Sequence, residues 1–153
     1  MAFHPVPMDG STAERIAGWR HDPPYDFYDL DADPEDHAEF LDPSNWDDTF
    51  AVEDDDGTLV GFFEFAPRGE AVEIGLGMRP DHTGRGLGRA FVEAGLAFAR
   101  ERYGAETFEL AVAAFNDRAI AVYEAVGFER LETYRQETNG GEHEFVRMRR
   151  GTG

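Results

Sequence analysis

The chain has 153 residues, enough for one domain with a packed interior, and 41% of them are hydrophobic, with 13 Phe. All 14 positive residues are Arg, set against 32 Asp plus Glu, for a net charge of −18. Cysteine is absent, which excludes disulfides, thiolate metal sites and a cysteine nucleophile, and no basic stripe exists to bind nucleic acid or an anionic membrane.

A carboxylate-rich surface without lysine reads as adaptation to molar salt, where a Debye length of about 3 Å screens self-repulsion. Residues 1–10 carry no cationic segment followed by an apolar run, and no stretch is long and apolar enough to span a membrane. The expectation is a single cytoplasmic domain over 1–150, monomer or homodimer, with a loose tail at 151–153.

In chain order, a strand is predicted from Phe3 to Val6. Ser11 reads as an N-cap with Glu14 in the capping-box position, opening a helix that carries Ile16 and Trp19. A loop from His21 to Tyr28 follows, with paired prolines and three aromatics. Asp33 caps and Pro34 opens a second helix that reaches Phe40 and Leu41, and Pro43 ends it. Thr49–Glu53 and Leu59–Ala66 flank Asp54-Asp55-Asp56-Gly57, a hairpin signal. After a Pro67-Arg68-Gly69 turn comes a strand from Ala71 to Arg79. A helix runs from Leu87 to Arg102 and stops at Gly104. Thr107–Ala113 is an apolar strand, and Asp117–Val126 a short helix stopped by Gly127. Strands Phe128–Tyr134 and Glu144–Arg149 close the chain around an Asn139-Gly140-Gly141 turn.

Thr83-Gly84-Arg85-Gly86-Leu87-Gly88 joins the Ala71 strand to the Leu87 helix. Glycines at alternate positions let backbone pass close to a ligand, and free N–H groups at a helix N-terminus favour an anion. A phosphate cradle is the functional reading; a turn shaped only for packing is the structural one. The strand, the glycine-led helix and the Thr107 strand form one βαβ unit, whose right-handed crossover makes the two strands parallel.

Downstream stand Asn116-Asp117-Arg118-Ala119 and Tyr123-Glu124-Ala125-Val126-Gly127-Phe128. A glycine loop followed by Asn-x-x-Ala-x-x-x-Tyr-x-x-x-Gly-Phe resembles the GNAT superfamily of N-acetyltransferases, from about Thr49 to Arg149. The Trp19–Tyr28 segment and the closing strand are similar to the branch of ribosomal-protein N-terminal acetyltransferases. The resemblance implies an α/β (α+β) fold: a mixed, mostly antiparallel sheet of six to seven strands, splayed between two parallel central strands and flanked by about four helices. It also implies acetyl-CoA as cosubstrate, with pyrophosphate on the glycine loop and pantetheine along Glu73–Met78. Cofactor contacts are expected from Leu76, Met78, Thr83, Gly84, Arg85, Gly86, Leu87, Gly88, Arg89, Asn116 and Tyr123. Thr83 stands where the family usually has Arg or Gln, which leaves the loop to bind mainly by backbone. Arg79, Arg85 and Arg89 supply local positive charge. Gly75 and Gly77 suit a β-bulge and close backbone approach.

Direct attack of a neutral amine on the thioester needs a base, carbonyl polarisation and a proton for the departing thiolate. Tyr123 is the expected acid. Glu73 is the expected base, sharing a strand face with Gly75 and Gly77, with Glu109, Glu64 or a water relay as rivals. Asn116 either touches pantetheine or caps the next helix. The backbone N–H of Leu76 or Gly77 is placed to polarise the carbonyl. The histidines at 4, 21, 37, 82 and 143 have no metal-ligand spacing, and no metal is expected. The carboxylates from Asp29 to Asp42 read first as a solvated surface. The Trp19–Tyr28 aromatics either wall the acceptor site or pack over the sheet edge. The acceptor is an amine, either a small molecule or a protein N-terminus. A non-catalytic CoA-binding sensor on the same fold is the alternative.

Overall fold

The computed structural model describes residues 2–21, 25–29, 33–79, 87–138 and 141–151. Seven strands form one sheet in the order β1-β2-β3-β4-β5-β7-β6. They are β1 (His4–Pro7), β2 (Thr49–Glu53), β3 (Leu59–Arg68), β4 (Ala71–Met78), β5 (Thr107–Ala113), β6 (Glu129–Thr138) and β7 (Gly141–Arg150). The α-helices are α1 (Gly10–Ala17), α2 (Pro34–Leu41), α3 (Gly88–Tyr103) and α4 (Asp117–Val126), with 3-10 turns at Tyr25–Tyr28 and Pro43–Asp48.

The β4–β5 pair is parallel, as the crossover through α3 requires; the pairs of neighbouring strands on either side are antiparallel. Parallel pairing covers only Ala71↔Thr107, Val72↔Phe108 and Glu73↔Glu109. Beyond Glu73 the two strands part, so the sheet opens as a V toward the C-terminal ends of β4 and β5.

Alternation assigns the two faces. Phe63, Phe65, Val72, Ile74, Phe108, Leu110 and Val112 are buried in the main core together with Phe91, Val92 and Leu96 of α3 and Ile120 of α4. On the other face Ala13 and Ile16 of α1 and Phe40 of α2 form a smaller core with Ala51 and Leu59, against which Phe62 packs. Helices α3 and α4 thus cover one face of the sheet, and the α1–α2 segment lies across the other.

Four local expectations are corrected. Asp9, not Ser11, caps α1: its carboxylate accepts the Thr12 N–H at 2.8 Å, so the helix starts earlier. The β3 strand continues through Pro67 to Arg68, and the turn moves to Gly69-Glu70, where Gly69 takes φ +66°. No bulge interrupts β4, whose register against β3 runs unbroken from Gly61↔Met78 to Arg68↔Ala71. Its glycines instead make room for β3 side chains. A Cβ on Gly77 would stand 2.5 Å from Phe62 Cε1, and one on Gly75 would stand 3.4 Å from Glu64 Oε2. The observed register shifts lie at Val52/Glu53 and Arg130/Glu132. The closing hairpin is also longer than its apolar pattern suggests. Most of edge strand β6 is exposed on both faces, which removes the alternation that marks a strand.

Candidate functional site

Residues 80–86, and with them Thr83, Gly84, Arg85 and Gly86, lie outside the described residues, as do Asn139 and Gly140 of the expected turn. The elements on either side of the glycine loop are described. Helix α3 starts at Gly88 with Leu87 as its N-cap and no side-chain cap hydrogen bond. Its first turn holds no acidic residue, although the chain carries −18 overall. By contrast, α2 has Glu35 and Asp36 in its first turn and α4 has Asp117. N–H groups with no side-chain cap among the described residues and no carboxylate in the first turn suit an anion such as a pyrophosphate. Arg89 is exposed and reaches Glu93 at 3.7 Å. Arg79 is turned back toward β3, where its guanidinium donates to the Leu59 carbonyl at 3.2 Å.

The strand edge in the V offers backbone. Arg79 N–H donates to the Val60 carbonyl at 2.8 Å, so by alternation Arg79, Gly77 and Gly75 direct their peptide groups at β3. Leu76 and Met78 then direct theirs into the gap beside β5. An extended chain bearing amide groups could pair with them as an added strand. Of the two backbone groups expected to polarise a carbonyl, Leu76 N–H faces the gap and Gly77 N–H faces β3. The side chains of Leu76 and Met78 pack on the main core. These backbone and helix-terminus features fit acetyl-CoA.

Helix α4 flanks the same opening. Asn116 is buried and caps α4, its Oδ1 accepting the Ala119 N–H at 3.1 Å. Gly88 at the start of α3 lies against Val122, whose methyl a Cβ there would meet at 3.5 Å. That contact sets the α3 N-terminus beside the turn of α4 that carries Tyr123. Tyr123 is half-buried, and its ring lies 6.0 Å from that of Phe128.

The three candidate bases share the opposite face but differ in their partners. Glu73 sits on the last rung before the V opens and pairs with Arg68, Oε2 to Nε at 2.8 Å. Glu109, its neighbour on β5, lies 3.8 Å from Arg147. Glu64 is opposite Gly75, beyond the point where the strands part, and its carboxylate lies over that glycine. It makes no hydrogen bond or ion pair among the described residues. Protein encloses most of it, yet part of its surface remains open to solvent. Burial, reinforced by the negative charges of Glu39 and Asp36, pushes the Glu64 carboxyl from its ordinary 4.5 up to about 7.

Glu39 and Asp36 come from α2 and are exposed, in keeping with the surface reading of the carboxylate run. The Phe40 ring packs edge-on against Phe62 at 5.2 Å, and this lays α2 over β3 two residues from Glu64. Asp36 and Glu39 share a helix face by their i,i+3 spacing, but nothing local in the sequence joins them to Glu64.

A second grouping lies on the β5–β7 arm. Phe27 packs on Phe115 at 5.5 Å, His143 at 4.9 Å and Phe145 at 6.1 Å, and Phe145 stacks on Tyr134 at 5.9 Å. Arg118 at the start of α4 lies 4.1 Å over the Tyr25 ring. The turn from Tyr25 to Tyr28 therefore packs at the open end of β5, and the α1–α2 segment reaches from one arm of the V to the other. Asp33 extends the bridge by accepting the Thr138 hydroxyl of β6 at 3.2 Å. Phe115, Tyr134, His143 and Phe145 were not readable as partners of the 19–28 aromatics, because they come from three later elements.

No group of metal-ligating side chains occurs among the described residues, and no helix there is long and apolar enough to cross a membrane.

Comparison with known proteins adds independent findings. The profile of the acetyltransferase (GNAT) family matches residues 13–128. A mycothiol acetyltransferase of Streptomyces coelicolor is 36% identical over 144 residues, which is 90% of this chain and 40% of that protein. A second, from Propionibacterium freudenreichii subsp. shermanii, is 40% identical over 87 residues, 52% of this chain and 27% of that protein. The chain thus spans well under half the length of these curated relatives. Among solved structures, a spermidine N-acetyltransferase from Vibrio cholerae in complex with CoA and spermine matches with a TM-score of 0.75. That match covers 96% of this chain and 94% of the other at 20% identity. A GNAT-family acetyltransferase from Bacillus anthracis gives 0.73 at 16% identity, covering 97% and 94%. At such identities the likeness is one of fold: the seven-stranded mixed sheet with its central parallel pair.

Proposed function

Because the chain belongs to the GNAT family of acetyltransferases, we propose that it moves an acetyl group from acetyl-CoA to a primary amine by direct attack, with Glu64 as base and Tyr123 as acid. The observation that carries this reading is the largely enclosed Glu64 carboxylate, which has no hydrogen bond or ion pair among the described residues and faces the opening of the V. When bound, acetyl-CoA supplies the activated acyl group as a thioester.

The residues divide the work by face. The α3 N-terminus and the gap-facing backbone of Leu76 and Met78 would hold pyrophosphate and pantetheine on the α3–α4 side, with Thr83–Gly86 completing the cradle. Leu76 N–H would polarise the acyl carbonyl. The amine would enter from the other face, beneath the α1–α2 segment. There Glu64, poised near neutrality, can take the ammonium proton at a pH where an ordinary glutamate is too weak a base. Glu73 and Glu109 are less suited, since each is already engaged by an arginine. Tyr123, on the cofactor side, would return a proton to the leaving sulfur.

Asn116 orients α4 through its cap. The narrower likeness to ribosomal-protein N-terminal acetyltransferases rests on the 19–28 aromatics and the closing strand, and makes a peptide N-terminus one acceptor to try. The name of the sequence relatives, mycothiol acetyltransferase, makes a mycothiol-type acceptor another. We also propose a salt-adapted cytoplasmic setting, on the lysine-free charge pattern.

The test is release of CoA thiol from acetyl-CoA with a panel of primary amines and peptides. Acetyl-CoA binding without thiol release on any of them would favour the sensor reading. Tyr123→Phe is expected to lower kcat by about a hundredfold while acetyl-CoA affinity, measured by calorimetry, changes less than about threefold. Wild-type kcat in that variant would remove the acid role.

A further inference from the structure

We propose that Phe62 restricts the acceptor to a primary amine on an unbranched carbon, by filling the space beside Glu64 in which an α-substituent would lie. This rests on the acetyltransferase reading and names the substrate class that its site admits.

On the face away from α3, the edge of β4 that borders the V carries glycines at 75 and 77. Phe62 is the register partner of Gly77 and Glu64 that of Gly75, and both β3 side chains reach across to β4. A Cβ on Gly77 would fall 2.5 Å from Phe62 Cε1, 2.9 Å from Cζ and 3.4 Å from Cδ1. The ring tip therefore takes the place of a Gly77 side chain. Glu64 does the same at Gly75, where a Cβ would meet its Oε2 at 3.4 Å and its Cβ at 3.6 Å. The acceptor side of this edge is thus formed by one carboxylate and one aromatic ring.

Packing alone does not account for the ring. On the α3 face a similar pairing is closed over: Phe91 fills the space at Gly61 and is fully buried. Phe62 is only half-buried, although Phe40 holds its ring edge-on at 5.2 Å. The ring is fixed on two sides and accessible on the rest. Beside it Glu64, largely enclosed, has no hydrogen bond or ion pair among the described residues.

Spacing turns the pair into a size limit. Positions two residues apart on a strand are separated by about 6–7 Å. An amine N–H donating to Glu64 at an N···O distance of about 2.9 Å leaves roughly 4 Å to the ring, the contact distance of one carbon. A methylene fits there, with its chain directed out of the V and its two hydrogens toward the ring and the β4 backbone. A substituent in place of either hydrogen collides. Displacing a ring that Phe40 and Gly77 hold costs about ten- to hundredfold in affinity.

The experiment compares 1-aminobutane with each enantiomer of 2-aminobutane, isomers of equal charge, by release of CoA thiol from acetyl-CoA with the full chain. The unbranched isomer is expected to have a kcat/KM at least about a hundredfold above either branched one. In Phe62→Ala one enantiomer, the one whose methyl faces the ring, should gain at least about tenfold relative to 1-aminobutane. Phe62→Leu should give a smaller gain, and acetyl-CoA affinity by calorimetry should stay within about threefold in both variants. Branched amines used by the wild type about as well as 1-aminobutane, or ratios unchanged in the variants, overturn the proposal. Two stable adducts decide it without turnover: CoA joined through an S–CH2–C(O)–NH link to a 1-butyl or a 2-butyl group. The 1-butyl adduct should bind the wild type at least about tenfold more tightly. Equal affinities, or no binding by either adduct, overturn the proposal. Failure of every amine to react while the adducts keep that difference would count against the acetyltransferase reading and leave the Phe62 limit standing.

Discussion

Glu64→Gln is expected to lower kcat/KM by about 10²- to 10³-fold at pH 8 and to make the protein more stable at the same pH. The first effect follows from losing a positioned general base. Wild-type kcat/KM should rise with pH through a limb centred near 7, the pKa to which burial pushes this carboxyl. The variant should lose that limb. The second effect follows from linkage. The folded protein holds the Glu64 proton up to about 7, whereas the unfolded chain releases it near 4.5. Folding therefore binds a proton between those values, and stability falls as pH rises through that window, then levels off. Glutamine carries no such penalty. The variant should match the wild type in denaturant unfolding near pH 4 and exceed it at pH 8, by up to about 3 kcal/mol. An unchanged pH–rate limb would exclude Glu64 as the base. A larger loss in Glu73→Gln would return the role to the strand apex.

Phe91→Ala is expected to cost about 3–5 kcal/mol in unfolding free energy. Phe91 is fully buried in the first turn of α3, its ring 4.7 Å from Phe63 and 5.3 Å from Phe3. Gly61 exists to admit that ring: a Cβ there would fall 2.6 Å from Phe91 Cζ and 2.5 Å from the Gly77 carbonyl oxygen. Because Phe91 anchors the end of α3 that would present N–H groups to pyrophosphate under the proposed function, the variant should also bind acetyl-CoA more weakly at temperatures where it remains folded. Guanidinium titration and calorimetry together check this. A stability loss under about 1 kcal/mol would mean that the site repacks around the missing ring.

These expectations draw on two kinds of information. Elements bounded by their own punctuation were legible in the sequence. Asp117–Val126 begins at its Asn116 cap and ends at Gly127, which adopts φ +106°. Thr107–Ala113 and Thr49–Glu53 stand out by their β-branched and aromatic residues. The parallel pair followed from the strand–helix–strand crossover. What the sequence hid depends on partners far along the chain. Glu73 and Glu64 occupy the same sheet face, but Arg68 folds back on Glu73 across a two-residue turn whereas Glu64 is enclosed beneath α2. No local pattern distinguishes them. The bulge expected at Gly75 and Gly77 failed for the same reason. Small residues announce that something comes close, but not whether it is a bent backbone or the side chains of Phe62 and Glu64. The acidic run on α2 is exposed, as its composition suggests, but only the Phe40 contact reveals that it lies over β3 near Glu64.

The way β3 lies over β4 bears on how such a protein could change its selectivity. On the acceptor side, β4 is chemically blank at positions 75 and 77. The polar and aromatic character above those glycines is supplied by β3 and α2. The strand edge suited to a thioester donor and the surface suited to its acceptor thus reside on separately mutable segments. Substitutions at Asp36, Glu39 or Phe62 can be sampled without altering the peptide groups of Leu76 and Met78. A lineage, or an engineer, could exchange one amine for another while the donor's binding geometry is inherited intact.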